Sequence, residues 1–268
     1  MCIVLEIPRS TYYYEINRVE TRKKKDSQIE ELVITLFKDS RRNFGTRKIK
    51  KMLEKKQVIV SRRKIGRIMA DNGLVSNYTI AHYKVHKKAT NNETTQNELN
   101  RDFQNRKHLE VVVSDLTYVR VGQNWCYVCL IIDLFNREFI GCQAGNKKDA
   151  KLIFDTFATI NYPLHKITLF HTDRGSEFKN NVIESLLETF NIKRSLSHKG
   201  CPYDNAVAES AFKIFKTEFV KQNKFHSLED LKIKMYDYVN WYNKFRIHSS
   251  LDYVSPVEYR NTTLKKFV

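Results

Sequence analysis

The 268-residue sequence predicts an α/β domain, a mixed five-stranded sheet flanked by helices, preceded by a small all-α domain. Two observations carry this. Residues 27–72 place apolar residues at helical spacing among many basic ones. From about residue 110 the pattern changes to short β-branched runs alternating with helical stretches, in the order β-β-β-α-β-α-β-α.

Residues 1–26 form a polar, basic lead-in with Tyr12-Tyr13-Tyr14 and Lys23-Lys24-Lys25. A first helix is expected over 27–38, with Ile29, Leu32, Val33, Leu36 and Phe37 on one face. Gly45 opens a second over 46–56, with Ile49, Met52 and Leu53 inward. Ser61 is a good N-cap for a third over 62–72, with Ile65, Ile68 and Met69 inward and Gly73 as its stop. Three such helices over 27–83 fit a helix-turn-helix module, whose third helix would carry Arg62, Arg63, Lys64 and Arg67 into a major groove. A small bundle with a solvated basic face fits the same pattern. Residues 84–107, polar and Asn/Thr-rich, read as a linker.

Val111–Val119 is an apolar, β-branched run and therefore a buried strand. Tyr127–Asp133 and Glu138–Gln143 follow it, and turn residues between all three favour antiparallel pairing. A helix over 147–160, a strand over 166–171, a helix over 179–190, a strand over 192–197 and a helix over 205–221 complete a core spanning 108–222. In 223–268, Ser227 caps a helix whose Leu231, Met235, Tyr238 and Tyr242 should pack on that core. Trp241 and Tyr242 could stack on bases or belong to the core, and Phe245–Pro256 reads as an extended tail.

Composition bounds the function. At 41% hydrophobic and 12% aromatic, the chain is not a disordered basic tail. No apolar run approaches the ~18 residues of a membrane span. The start lacks a signal-peptide pattern, and five irregularly spaced cysteines suit reduced thiols in a cytoplasm. The formal charge is +17, which points to a polyanion. Residues 1–108 hold 25 basic and 12 acidic side chains, against 22 and 18 in the rest. The first segment thus has the balance of a binding module and the second that of an enzyme.

Three acids stand out by placement. Asp115 lies inside an apolar strand, where a carboxylate is costly unless paired or bound to a cation. Asp173 follows a strand's carboxyl end, a common site of ligand groups in α/β sheets. Glu209 sits one turn into a helix, with 35 residues between it and Asp173. Such a set suits two-metal phosphoryl transfer, in which hard cations take oxygen ligands. No Ser/His/Asp or Cys/His order suggests a covalent route.

The segments Asp115-Leu116-Thr117-Tyr118, Ile132–Arg137, His171–Phe178 and Gly200–Ser210 resemble motifs of bacterial insertion-sequence transposases with a retroviral-integrase-like core. Tyr242-Asn243, Arg246, His248, Ser250-Leu251 and Ser255-Pro256 add to the likeness, as does Arg42–Ile49 in the basic segment. The resemblance covers nearly the whole chain. It implies an RNase-H-like fold in which Asp115, Asp173 and Glu209 hold two Mg²⁺ ions, with Mn²⁺ able to substitute. It further implies cleavage at element ends, strand transfer into target DNA, double-stranded DNA as partner, a homo-multimer in the synaptic complex and a cytoplasmic, nucleoid-associated location. Lys216 matches a basic position that contacts terminal DNA in this family. It lies two helical turns after Glu209, and Lys213 shares its face; either could instead be a solvated charge.

Other candidates compete with these. His171 either assists the site or packs as a structural histidine. Asp133 reads as a turn stabiliser, Glu177 as a loop residue, and Asp204 or Asn205 as a helix cap. His82, His86, Cys126 and Cys129 have the order of a zinc module. No zinc is expected, because residues three apart on a strand point to opposite faces. The group often makes an upstream helix-turn-helix and leucine-zipper part from a separate reading frame, so this chain reads as the second-frame product and an upstream-frame protein as a possible partner. Two alternatives share its features: a non-catalytic DNA-binding regulator dependent on that product, and a nuclease for RNA–DNA hybrids.

Overall fold

The computed structural model describes residues 7–79, 99, 106–173, 175, 178, 180–197 and 205–265. His82, His86, Glu177, Cys201, Asp204 and most of the expected linker lie outside these residues. The chain divides into two compact units, Met1–Ala81 and His82–Val268. Among the described residues no helix is long and apolar enough to cross a membrane.

The first unit contains helices α1 (Arg9–Asp39), α2 (Thr46–Lys55) and α3 (Arg62–Asp71). Helix α1 begins well before the expected residue 27, because its first half is exposed and has no apolar stripe to mark it. Val33, Leu36 and Phe37 of α1 are buried, as are Ile49 and Leu53 of α2 and Ile65, Ile68 and Met69 of α3. Gly45 is the N-cap of α2, and Ser61 caps α3 by accepting from the Lys64 amide. Gly73 follows α3 with φ +60°, the left-handed stop that glycine adopts without strain. Ser61→Ala should therefore cost about 1 kcal/mol of this unit's stability in urea titration; an unchanged midpoint would show that the cap bond contributes nothing.

The second unit is built on strands β1 (Val111–Val121), β2 (Asn124–Asp133), β3 (Phe139–Gly145), β4 (Leu169–Thr172) and β5 (Lys193–Leu196). Their order in the sheet is β3-β2-β1-β4-β5. The β1–β2 and β2–β3 pairs are antiparallel, and β4 is parallel to both β1 and β5. This is the RNase-H-like arrangement. Helices α4 (Ala150–Ala158), α5 (Asn181–Thr189), α6 (Ala206–Glu218), α7 (Leu228–Phe245) and α8 (Pro256–Leu264) accompany the sheet.

Strand alternation separates two apolar layers. Val111, Val113, Val119 and Val121 pack with Phe212 and Phe215 of α6 and Met235, Tyr238 and Tyr242 of α7. Val112 joins the opposite layer with Leu152, Ile153 and Phe157 of α4 and Ile183 and Leu187 of α5. Cys126 falls in the first layer and Cys129 in the second, so the pair cannot share a ligand from one face.

The expected extended tail is corrected in part. After α7 the chain makes a short 3-10 turn at Ser249–Leu251 and a bridge between His248 and Val254, then enters α8. Ser255 and Glu258 form a reciprocal capping box with Pro256 at the first turn, which starts a helix without needing an apolar stripe.

Candidate active site

Asp115 lies on β1, with Leu130 of the apolar α6/α7 layer opposite it. Alternation places Asp115 on the same sheet face as Val111 and Val113, the face that α6 covers. Its carboxylate accepts from the Leu116 amide at 2.7 Å. The β1–β4 register pairs Val113 with His171. Carried two residues on, it brings Asp115 level with Asp173, just past β4. Asp173 accepts from the Gly175 amide at 3.0 Å, a turn that holds the carboxylate at the strand end.

Glu209 occupies the first turn of α6. Partial burial raises its pKa, and the charge of Asp173 raises it further. These two acids thus repel each other as like charges do in one site. Among the described residues, no group of three His, Cys, Asp or Glu side chains is gathered closely enough to hold a metal ion. The register aligns Asp115 with Asp173, and electrostatics joins Asp173 to Glu209.

Integrase core models match residues 105–202 and 209–264, and an HTH-like domain model matches 24–82. A putative transposase, InsK, of insertion sequence element IS150 from Escherichia coli is 28% identical over 96% of this chain and 91% of its own length. A probable transposase for IS1353 from Shigella flexneri is 32% identical over 96% of this chain and 51% of its own length. The transposase InsF of IS3A from Escherichia coli is 27% identical over 98% of this chain and 94% of its own. The chain thus carries an integrase core and an HTH-like domain, and over nearly its whole length it is similar to insertion-sequence transposases. Among solved structures, the HTLV-2 integrase catalytic core domain is 13% identical, with a TM-score of 0.45 over 56% of this chain and 95% of that one.

Around the integrase core's acids, the remaining candidates take distinct places. His171 is fully buried, with Nδ1 2.8 Å from the Ser195 hydroxyl and Nε2 3.1 Å from that of Ser197. Both ring nitrogens are thus engaged by β5 and the residue after it. Asp133 is fully buried and accepts from the amides of Leu109 and Phe135, with His108 Nδ1 at 2.7 Å. Asn205 takes the N-cap position of α6 but makes no side-chain capping bond, against expectation, because its backbone is not extended there. Lys213 is exposed on α6, and the Lys216 ammonium stands 5.6 Å over the Tyr118 ring.

In the HTH-like unit, Arg62, Arg63 and Arg67 are exposed on α3. Lys64 instead forms an ion pair with Asp26 of α1, so part of its charge is used inside the unit.

One feature of the core was not singled out in the sequence. Glu218, at the end of α6, is buried and receives Arg246 Nε and Nη2 at 2.8–3.0 Å and the Tyr238 hydroxyl at 3.1 Å. Arg246 also lies 5.2 Å from the Tyr242 ring centre and 3.1 Å from a His248 ring nitrogen. This network fixes the C-terminal end of the helix whose first turn bears Glu209. The available signal was an acid between Phe215 and Phe219 on an apolar helix face.

Proposed function

We propose that the chain is a DNA transposase that cleaves insertion-sequence ends and joins them to target DNA by metal-dependent phosphoryl transfer. The observation that carries this reading is an integrase core in which Asp115 stands level with Asp173 on the adjacent strand and the charge of Asp173 raises the pKa of Glu209. The donor set fits a divalent cation. All three are hard carboxylate ligands, and the burial and like charge that raise Glu209 are what a bound cation would offset. Asp115, Asp173 and Glu209 would hold two Mg²⁺ or Mn²⁺ ions, which supply charge neutralisation at the phosphoryl oxygens. Lys213 and Lys216 would hold terminal DNA along α6, and Arg62, Arg63 and Arg67 would anchor the HTH-like unit on the duplex. Synapsis of two ends calls for a homo-multimer, and the action on DNA for a nucleoid location; an upstream-frame product remains a proposed partner.

The test is Mg²⁺-dependent nicking and strand transfer on duplexes carrying the element's terminal repeats. DNA retention without cleavage in either Mg²⁺ or Mn²⁺ would favour the non-catalytic regulator instead. Affinity should also fall steeply with salt, because phosphate contacts release counterions. Alanine at Arg62, Arg63 or Arg67 should each reduce the log–log salt slope by about one, and at Lys64 by less. Equal reductions at all four positions would contradict the Lys64–Asp26 pairing as a limit on DNA contact.

A further inference from the structure

The outer end of the β1–β2 hairpin extends past the parallel half of the sheet. β4 pairs with β1 only as far as Val113, whereas β2 pairs with it through Val121. One face of this outer end is buried, with Val119, Val121 and Cys126 in the apolar layer beside α6 and α7. The other face carries Tyr118 opposite Tyr127 and Arg120 opposite Trp125. Tyr118 is 42% exposed and Trp125 50% exposed.

These two large rings form an ordered group. Their centroids stand 5.2 Å apart, edge to face. The Arg120 guanidinium is 5.3 Å from the Trp125 ring centre, and Lys216 covers Tyr118 from α6. Because α6 packs on the opposite sheet face, Lys216 reaches Tyr118 around the edge of β1 that β4 leaves. The group combines π-faces with two cations.

We propose that this hairpin face is a stacking platform for unpaired bases of a DNA strand. A π-face beside a cation recognises a base without regard to sequence, and the neighbouring charge attracts the connecting phosphate. A fully paired duplex keeps its base faces stacked inside, so it offers this surface only phosphates. Tyr118 is three residues from Asp115, about 10 Å along a strand. The two side chains take opposite sheet faces, so the platform suits unpaired bases of a strand that passes around the open edge of β1, the edge Lys216 also crosses. That placement rests on Asp115 belonging to the catalytic set, whereas the stacking itself does not.

Trp125 provides its own probe. The chain has two tryptophans, and Trp241 is only 6% exposed. The full chain, with chelator present so that no strand is cut, is titrated with oligo(dT), with a duplex bearing an unpaired thymine end, and with a blunt duplex of equal length. The first two should quench tryptophan emission and the blunt duplex should not. Trp125→Phe should remove the emission change. Trp125→Ala and Tyr118→Ala should weaken binding of the unpaired-end duplex by roughly 5- to 100-fold, with under about twofold effect on the blunt one. Equal quenching by blunt DNA would overturn the proposal, as would equal weakening of both duplexes or binding of unpaired DNA without quenching. Altered self-association with unaltered DNA affinity would assign the face to a second copy and also overturn it. Because the readout is binding, loss of the cleavage reading alone would leave this result standing.

Discussion

Asp173→Asn is expected to lower strand cleavage by about three orders of magnitude or more, with little change in stability. Metal-borne charge stabilisation contributes several kcal/mol to phosphoryl transfer, and each 1.36 kcal/mol is tenfold in rate. The amide is isosteric and its oxygen still accepts from Gly175, so the turn after β4 should persist. Asp115→Asn likewise retains the bond from Leu116. Glu209→Gln removes a partly buried charge that Asp173 opposes. That variant should lose activity yet melt no lower than the parent chain. Cleavage by matched-end assay and thermal melting, read together, test the set. Full activity in all three substituted chains would remove these acids from the chemistry. A lower melting temperature for Glu209→Gln would contradict the repulsion assigned to it.

The second large effect concerns Glu218 and Arg246. Breaking a buried ion pair leaves one uncompensated charge, at a cost of about 3–5 kcal/mol. Arg246→Met takes the guanidinium from the buried Glu218 carboxylate, which keeps the bond from the Tyr238 hydroxyl. Glu218→Leu likewise takes the carboxylate from the buried guanidinium, which keeps its contacts with Tyr242 and His248. Each should lower the melting temperature by roughly 6–20 °C, taking about 2–4 °C per kcal/mol for a unit of this size. The double change to leucine and methionine should regain much of that loss, since apolar replacement of a buried pair is often neutral. If the double variant were as unstable as the singles, packing rather than charge would govern this site.

Much of the fold was legible because its strands are written in β-branched runs. Val111-Val112-Val113 and Leu130-Ile131-Ile132 are buried strands in sequence and in structure. Helices with an apolar stripe, such as α2 and α3, were equally clear. Helix α1 was underestimated and α8 missed for one physical reason: neither the first half of α1 nor α8 has an apolar face. Only Pro256 of α8 is buried, so its start is marked by capping chemistry rather than periodicity. The three acids could be singled out by placement, since a carboxylate in an apolar strand or past a strand end needs an explanation. Glu218 needed its partner. Arg246 lies 28 residues on, and only the folded chain brings the two together.

The layer formed by β1, α6 and α7 also bears on how the chain is made. Its apolar filling draws on Val111 near one end and on Met235, Tyr238 and Tyr242 near the other. A nascent chain has all three acids once Glu209 has emerged from the ribosome, yet that side of the sheet stays uncovered until α7 follows. Arg246 then closes the ion pair on α6. Premature termination between Glu209 and Arg246 would therefore yield a product with every acid in its sequence and an open core, prone to aggregation and proteolysis. The three acids proposed for cleavage therefore reach a stable frame only after α7 and Arg246 have been made.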